Sequence, residues 1–526
     1  MGGSYILAID QGTSGTKTVI FDSKGRIVAK ATEPLKSYFP QPGYVEQDPL
    51  EIYQSVLDSV KKCLKEFSRK VSGTLAEIAV CGISNQRETF VLWDGSGRPI
   101  CPAIVWQCKR SVAICDRLKD STLEDEVKKR TGLIIDPYFS GTKLVWLYEN
   151  DERIRETIQE GNAYFGTIDS WLLFRLTEGK SYFTDYTNAC RTLLFNINDL
   201  RWDDYLLTSL NLKNLNLPQP KPSSFAFGES DFEGLVSGKV KISAMIGDSH
   251  AAAFGEGCFS SGMAKATMGT GSSILLNTGT DRIKSASGMV TTISWSMSDR
   301  TEYALEGIIV TCGATINWLR DRLGLFADSR ETEQMARSVQ NTNGVYLIPA
   351  FSGLGAPHWK MDAKAAILGL TFGCDKHHVV RAGLESIAYQ IKDVVAAMQR
   401  DSGIKLTELK VDGGITANHF VMQLLADLLQ TNVVNIGIEE VSALGAASLA
   451  GLEQGIFRDI DQLKNFSLIK TRFCPSPDSS KVLTFYEGWK EAVQQLLWSG
   501  PNKADRTPPG AMSAQDDPKT IRLERE

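Results

Sequence analysis

A glycine- and threonine-rich turn between two short apolar runs occurs at the start of this chain and again near its middle. The first is Asp10-Gln-Gly-Thr-Ser-Gly-Thr-Lys17, entered from the apolar run 5–9 and left through 18–21. The second is Met268-Gly-Thr-Gly-Ser272, entered from 264–267 and left through 274–277. A third glycine turn, Val411-Asp-Gly-Gly-Ile415, ends another apolar run. Such turns let a strand reverse tightly and leave backbone N–H groups and hydroxyls facing outward. Two halves that each open this way predict two related domains with a cleft between them. The length of 526 residues agrees, being too great for one compact core.

The first half continues through Ser23-Lys-Gly-Arg26 into 27–32, which predicts an antiparallel meander of three strands. Pro49 then opens a helix in which Leu50, Ile52, Val56, Leu57, Val60 and Leu64 keep roughly helical spacing. Residues 78–84 read as a strand running into Asn85-Gln-Arg-Glu88. Residues 241–246 read as a strand ending in Gly247-Asp248, with a helix start at Ala251. The pattern is mixed α/β, not a series of identical βαβ units. Further on, 418–430 reads as an amphipathic helix beginning just after Gly413-Gly414. Residues 444–452 read as a small-residue helix in which Ala446 and Ala447 permit close approach to another backbone. The predicted domains are 1–255 and 256–498. Residues 499–526, rich in Pro, Gly and charge, read as a disordered tail.

Hydrophobic and charged fractions of 42% and 23% are those of an ordinary globular protein. A net charge of −5 argues against nucleic-acid binding, which needs a basic footprint. There is no signal-peptide pattern and no apolar run long enough to span a bilayer. Ten cysteines without a secretory signal read as reduced thiols, and the expected location is cytoplasmic. Cys101, Cys108 and Cys115 are evenly spaced but lack the C-x2-C form of a zinc site, and no histidine joins them; they read as buried thiols.

The turns together resemble a divided cradle for a nucleotide polyphosphate. No Walker A sequence is present, nor a complete G-x-G-x-x-G after a strand. Asp10, at a strand end, suits a hydrated Mg2+, which prefers one or two carboxylates plus waters and phosphate oxygens. Thr13 and Ser14 are hydroxyl donors for phosphate, and Lys17 is a point charge. A plain hairpin explains that turn alone equally well; the second polar turn, at Gly269 and Thr270, favours the cradle. Gly413-Gly414 before a helix suits close approach of a flat or anionic group, or a tight strand-to-helix connection. Arg87 and Glu88 could fork around vicinal hydroxyls, or form a surface ion pair. Trp106 could be an apolar pocket wall or core packing. Asp248, at a strand end before a helix, is the candidate general base; it would also serve as a helix N-cap, and the two roles can coexist.

These motifs resemble the FGGY carbohydrate kinases, most closely their glycerol-phosphorylating members, over nearly the whole chain except the tail. Besides the turns, the resemblance rests on Gly82-Ile-Ser-Asn-Gln-Arg-Glu-Thr89, Ala103-Ile-Val-Trp-Gln-Cys108, Asp136-Pro-Tyr-Phe-Ser-Gly-Thr-Lys143, Thr184-Asp-Tyr-Thr-Asn188, Asn341-Thr-Asn-Gly-Val-Tyr346 and Gly353-Leu-Gly-Ala-Pro357. It implies an actin-like, ribonuclease-H-like two-domain fold with ATP and Mg2+ in the cleft, and cleft closure on substrate. It implies that Asp10, Thr13, Ser14 and Lys17 lie near Mg2+ and the terminal phosphates, with Gly269 and Thr270 contacting phosphate from the other domain. Gly313, Asn317, Gly414 and Asn418 fall at nucleotide-contacting positions. Arg87, Glu88, Trp106, Tyr138 and Asp248 fall at acceptor positions, with Asp248 as base.

Two departures stand out. The family's glycerol-phosphorylating members usually carry Gln where this chain has Ser249, and Phe where it has Ser273. Both changes predict a larger, more polar acceptor pocket, with His250 or water filling the gap beside Ser249. The implied reaction is ATP-dependent phosphorylation of a polyol, by default glycerol to sn-glycerol 3-phosphate. A tetritol or ketose acceptor is the alternative, and a non-catalytic ATP-binding protein is the reading of another class. Homo-oligomers are common in the family. The basic glycine-rich loop that binds fructose 1,6-bisphosphate in some members has no match in 229–239.

Overall fold

The computed structural model describes residues 5–71, 75–464, 466 and 470–498, so the tail read at 499–526 lies outside the described residues. Two sheets organise the molecule. In the first, Tyr5–Gln11 pairs antiparallel with Gly15–Phe21, which pairs antiparallel with Ile27–Pro34. On its other side Tyr5–Gln11 runs parallel to Ile78–Asn85, and that strand runs parallel to Val240–Gly247. The second sheet repeats the plan. Met263–Met268 pairs antiparallel with Ser272–Gly279, which pairs antiparallel with Arg300–Ile309. Its other edge runs parallel to Glu408–Asp412, which runs parallel to Asn432–Asn435. A meander with two parallel strands added beside its first strand therefore occurs twice.

The meander strands extend further than their apolar runs. Asp10 and Gln11 are still in the ladder, opposite Lys17 and Thr16, and the turn proper narrows to Gly12, Thr13 and Ser14. A Cβ on Gly15 would lie 2.5 Å from the Glu33 carbonyl oxygen, which is why the third strand can approach there. Thr16 and Thr18 meet Ser55 and Ser59 of the helix Pro49–Lys70 in buried hydroxyl pairs at 2.6 Å, so polar ladder residues still find partners.

Alternation decides what each face covers. Leu7 and Ile9 pack with Ile52, Val56 and Val60 of that helix. Asp48 caps the helix and Pro49 starts it. Its buried stripe runs on through Cys63 and Phe67, whereas Leu50 is 49% exposed and belongs to the outer face. Ile6 and Ala8 face the other way, onto Ala443, Ala446 and Leu449 of the helix Val441–Glu453. That helix falls in the predicted second domain but packs on the first sheet. The contact is backbone-close: a Cβ on Gly82 would lie 2.3 Å from the Ala446 carbonyl oxygen, and one on Gly445 1.9 Å from that of Ala251. In the second half Ala264, Ala266 and Met268 pack with Ile387, Ile391 and Val394 of the long helix Lys376–Ser402. Among the described residues all ten cysteines are free thiols, and no helix is long and apolar enough to cross a membrane.

Candidate active site

Three parallel strands of the first sheet end side by side. Asp10 lies opposite Ser84, and Asn85 lies opposite Gly247. Asp10, Arg87, Glu88 and Asp248 are thereby delivered to one edge, where open α/β sheets bind ligands. The second sheet does the same with Met268 and Asp412, whose strand ends lead into Gly269-Thr270 and Gly413-Gly414.

Asp10 accepts from the Ser84 hydroxyl at 2.8 Å. Burial pushes its carboxyl up to about 6, and neighbouring Asp248 adds to that against the pull of Ser84 and Lys17. Lys17 is held by Glu440 at 2.9 Å. The Thr13 hydroxyl accepts from the Trp106 indole at 2.9 Å and donates to Gln86 Oε1 at 3.2 Å, tying the first turn to the loop that carries Trp106. Ser14 stands exposed at the turn.

Asp248 is the first residue of the helix Asp248–Gly255; the N-cap position belongs to Gly247. Its Oδ1 accepts from the Ser249 amide at 2.6 Å and lies 3.6 Å from Arg87 Nε. Its side chain remains 38% exposed. Burial raises its carboxyl above the usual range, with Arg87 opposing and Glu88 reinforcing the shift. Gly247 must be small, since a Cβ there would lie 2.6 Å from Arg87 Cγ. The segment 184–188 braces this edge from behind: Thr187 Oγ1 accepts from the Gly247 amide at 2.8 Å, and the Asn188 and Asn85 amides exchange hydrogen bonds.

Arg87 and Glu88 are not a surface pair. Both are buried, in a cluster with Arg191 and Glu306. Arg87 Nη2 reaches Glu306 Oε1 at 2.9 Å and the Tyr138 hydroxyl at 3.2 Å. Arg191 reaches Glu88 Oε1 and Glu306 Oε2, each at 2.7 Å. Burial alone would raise the Glu306 carboxyl, but the two guanidiniums outweigh it and hold it well below the usual range. Ser273 donates to Glu306 Oε1 at 3.0 Å from the neighbouring strand of the second sheet, and the contacts of Glu306 with Arg87 and Arg191 join the two lobes. Arg87 Nη1 and Arg191 Nη2 are buried donors without a hydrogen-bond partner among the described residues. Such donors suit the hydroxyl oxygens of a polar ligand. Trp106 and Tyr138 meet edge-on 5.4 Å apart beside them.

On the second lobe Gly414 and Asn418 line a cavity of about 230 Å³ with Ile316, Thr332, Ile415 and Ala417. Gly313 donates to the Gly269 carbonyl at 2.9 Å, and its own Cβ would lie 2.7 Å from that oxygen, so the two loops touch. Asn317 is exposed one turn further along the helix Ala314–Asp321. A 3₁₀ turn, Gly414–Ala417, separates the glycine pair from the helix His419–Leu429, and Asn418 caps that helix. The glycines are thus a bend ahead of the helix rather than its N-terminus. A larger cleft of about 710 Å³ lies elsewhere, between 128–136 and 282–289, and contains none of the groups above.

The sequence model of the FGGY family of carbohydrate kinases, N-terminal domain, matches residues 5–255, and that of the C-terminal domain matches 264–453. The chain belongs to the FGGY carbohydrate kinases. It is 47% identical to a glycerol kinase of Shewanella piezotolerans over 94% of this chain and 99% of that protein. It is 44% identical to a glycerol kinase of Alkaliphilus oremlandii over 95% and 99%. Among solved structures it resembles that of Plasmodium falciparum glycerol kinase with ADP, with a TM-score of 0.89 and 36% identity over 94% of this chain and 98% of that one. The two-lobed FGGY fold accounts for the paired sheets and the divided site.

Two members of the buried charge cluster, Arg191 and Glu306, lie outside the motifs named from the sequence. Arg191 comes three residues after the segment 184–188, and Glu306 is the lone acid in the apolar run 303–309. His250 does not stand in beside Ser249. It is fully buried, its Nε2 lies 3.2 Å from Thr292 Oγ1, and burial holds its imidazole well below its ordinary value. Being two residues along the helix from Asp248, it points into the core rather than the cleft.

Proposed function

We propose that this FGGY kinase transfers the terminal phosphoryl group of ATP to a primary hydroxyl of a polyol, glycerol being the first choice of acceptor and sn-glycerol 3-phosphate and ADP the products. The observation that carries the reading is the meeting of Asp248 with Arg87, Glu88 and two partnerless buried guanidinium donors at one sheet edge. The relatives named glycerol kinase support the choice of acceptor.

In this reading Arg87 and Glu88 orient the acceptor hydroxyls, with Trp106 and Tyr138 as the wall. Asp248 takes the proton of the attacking hydroxyl. The acceptor oxygen forms its bond to the γ-phosphorus as the bond from phosphorus to the β,γ-bridging oxygen breaks, and ADP leaves with that electron pair. The glycine loops at Gly269-Thr270 and Gly413-Gly414 offer backbone N–H groups to the phosphates, and the cavity at Gly414 and Asn418 takes the base. The residues fit a Mg2+: Asp10 is a half-buried carboxylate beside a second carboxylate, which supports the need for a cation there, and Mg2+ takes its remaining ligands from water and phosphate. Bound at Asp10 and the phosphates, Mg2+ would neutralise their charge.

Ser273, seated on Glu306, supports a second reading in which a longer polyol such as erythritol or threitol is preferred. Retention of both Asp10 and Asp248 weighs against a non-catalytic ATP-binding protein. A cytoplasmic location and a homo-oligomeric state accompany the proposal by analogy with the family. The test is steady-state kinetics with MgATP on glycerol, erythritol, threitol and ketoses. A kcat/KM for glycerol far below that for a tetritol would replace glycerol as the acceptor, and no turnover on any of them would remove the kinase reading.

A further inference from the structure

Lys143 is fully buried in the first turn of the helix Ser140–Asn150. Both circumstances oppose an ammonium, through desolvation and through the positive end of the helix dipole. Its placement is nonetheless fully matched. An ammonium has three N–H donors, and Nζ lies 2.9 Å from the Tyr138 carbonyl oxygen, 3.0 Å from that of Pro137 and 3.4 Å from that of Trp106. Those carbonyls belong to two separate loops, and the loops carry the two rings of the acceptor wall. Ser140, the first residue of the same turn, donates to the Glu88 carbonyl at 2.8 Å. One helix end therefore grips three acceptor residues from behind.

We propose that Lys143 is a positioning residue for the polyol: by tying the Trp106 loop to the Pro137-Tyr138 loop it sets where the two aromatic rings, and through Tyr138 the Arg87 guanidinium, stand against the acceptor. This rests on the reading of Trp106, Tyr138 and Arg87 as the acceptor site. Nothing in the phosphoryl-transfer step itself uses Lys143. Burial pushes its ammonium down to about 7, against the pull of Glu88; Cys108, Lys109 and Asp136 also face it. Loss of its proton removes the charge and one of three donors, so the tie loosens as pH rises through that value.

The experiment compares wild type with Lys143→Met, alone and on a Trp106→Ala background, reading KM for the polyol, KM for ATP and kcat. Lys143→Met is expected to raise the polyol KM by about tenfold or more, the scale of lost charged hydrogen bonds. The ATP KM should stay within about twofold, because the nucleotide subsite lies on the other lobe. On the Trp106→Ala background the same change should have much less effect, since one of the tied walls is already gone. An unchanged polyol KM in folded Lys143→Met, or an equal rise in both backgrounds, overturns the assignment. Wild-type enzyme supplies a measurement that needs no variant. Its polyol KM should rise above about pH 7 while its ATP KM stays level, and a level polyol KM across that range would overturn the assignment too. Wild-type protein that phosphorylates no polyol would remove the acceptor reading and this inference together. A wild type that turns over beside an unaffected Lys143→Met removes the inference alone.

Discussion

Asp248 and Asp10 stand within mutual electrostatic reach, yet the site asks different work of each. Asp248 keeps an exposed face beside the Arg87 guanidinium, which suits the proposed base. Asp248→Asn should lower kcat by roughly 10²–10⁴-fold, the usual share of a general base, while nucleotide affinity measured by calorimetry stays nearly unchanged. Asp10 is different because its carboxyl is raised to about 6 from an ordinary 3.8. The folded chain therefore holds a proton on Asp10 that the unfolded chain releases between those values. Stability from this group is present at low pH and is lost as pH rises through about 6. Asp10→Asn should abolish turnover yet raise the unfolding temperature at pH 8, and a lowered unfolding temperature would contradict that account. Kcat/KM of the wild type should fall as pH drops below about 6, when Asp10 takes its proton. Residue types at strand ends were legible from the chain alone, because Asp10, Arg87, Glu88 and Asp248 each follow an apolar run. Arg191 and Glu306 were not, because their meaning lies in each other, and over a hundred residues of chain separate them.

At the scale of elements, the helix Val441–Glu453 explains how the carboxylate of Asp248, the proposed base, is held still. Its small side chains let Gly445 sit against the Ala251 carbonyl, in the middle of the helix that begins with Asp248. The composition of 444–452 announced close packing, but not against what. The partner strand, which contains Gly82, lies far away in sequence, and a helix pattern records only which face is small. The meander strands were legible for the opposite reason: their pairing is local, across turns of a few residues. Gly445→Ala would place a Cβ 1.9 Å from the Ala251 oxygen. The two helices must then separate, at a cost of about 1–3 kcal/mol or more. The expected result is a lowered unfolding temperature together with a fall in kcat/KM for the polyol, from displacement of Asp248. Ser448→Ala, which only removes a buried hydroxyl from the same helix, should leave kcat/KM close to wild type.

For the whole molecule, the repeated sheet plan means that each lobe brings half a site, and the halves are joined by charge. Glu306 belongs to the second sheet, yet its carboxylate is shared between Arg87 and Arg191 of the first lobe, and Ser273 supports it from its own side. A carboxylate buried between two guanidiniums is stable only while all three remain. Removing it leaves like charges facing each other without water, a loss of about 3–5 kcal/mol. Glu306→Gln keeps shape and hydrogen-bonding capacity but not charge, so it isolates that contribution. Two consequences are expected. Denaturant unfolding should shift to lower concentration. The polyol KM should rise well beyond the ATP KM, because Arg87 is released from the geometry in which it meets the acceptor while the loops at Gly313 and Gly414 are untouched. The two effects have separate readings. A stability loss with unchanged polyol KM would make the cluster only a rivet between lobes. A raised polyol KM at full stability would make it only a part of the pocket. The shared carboxylate predicts both together, since one atom set joins the lobes and aims the arginine.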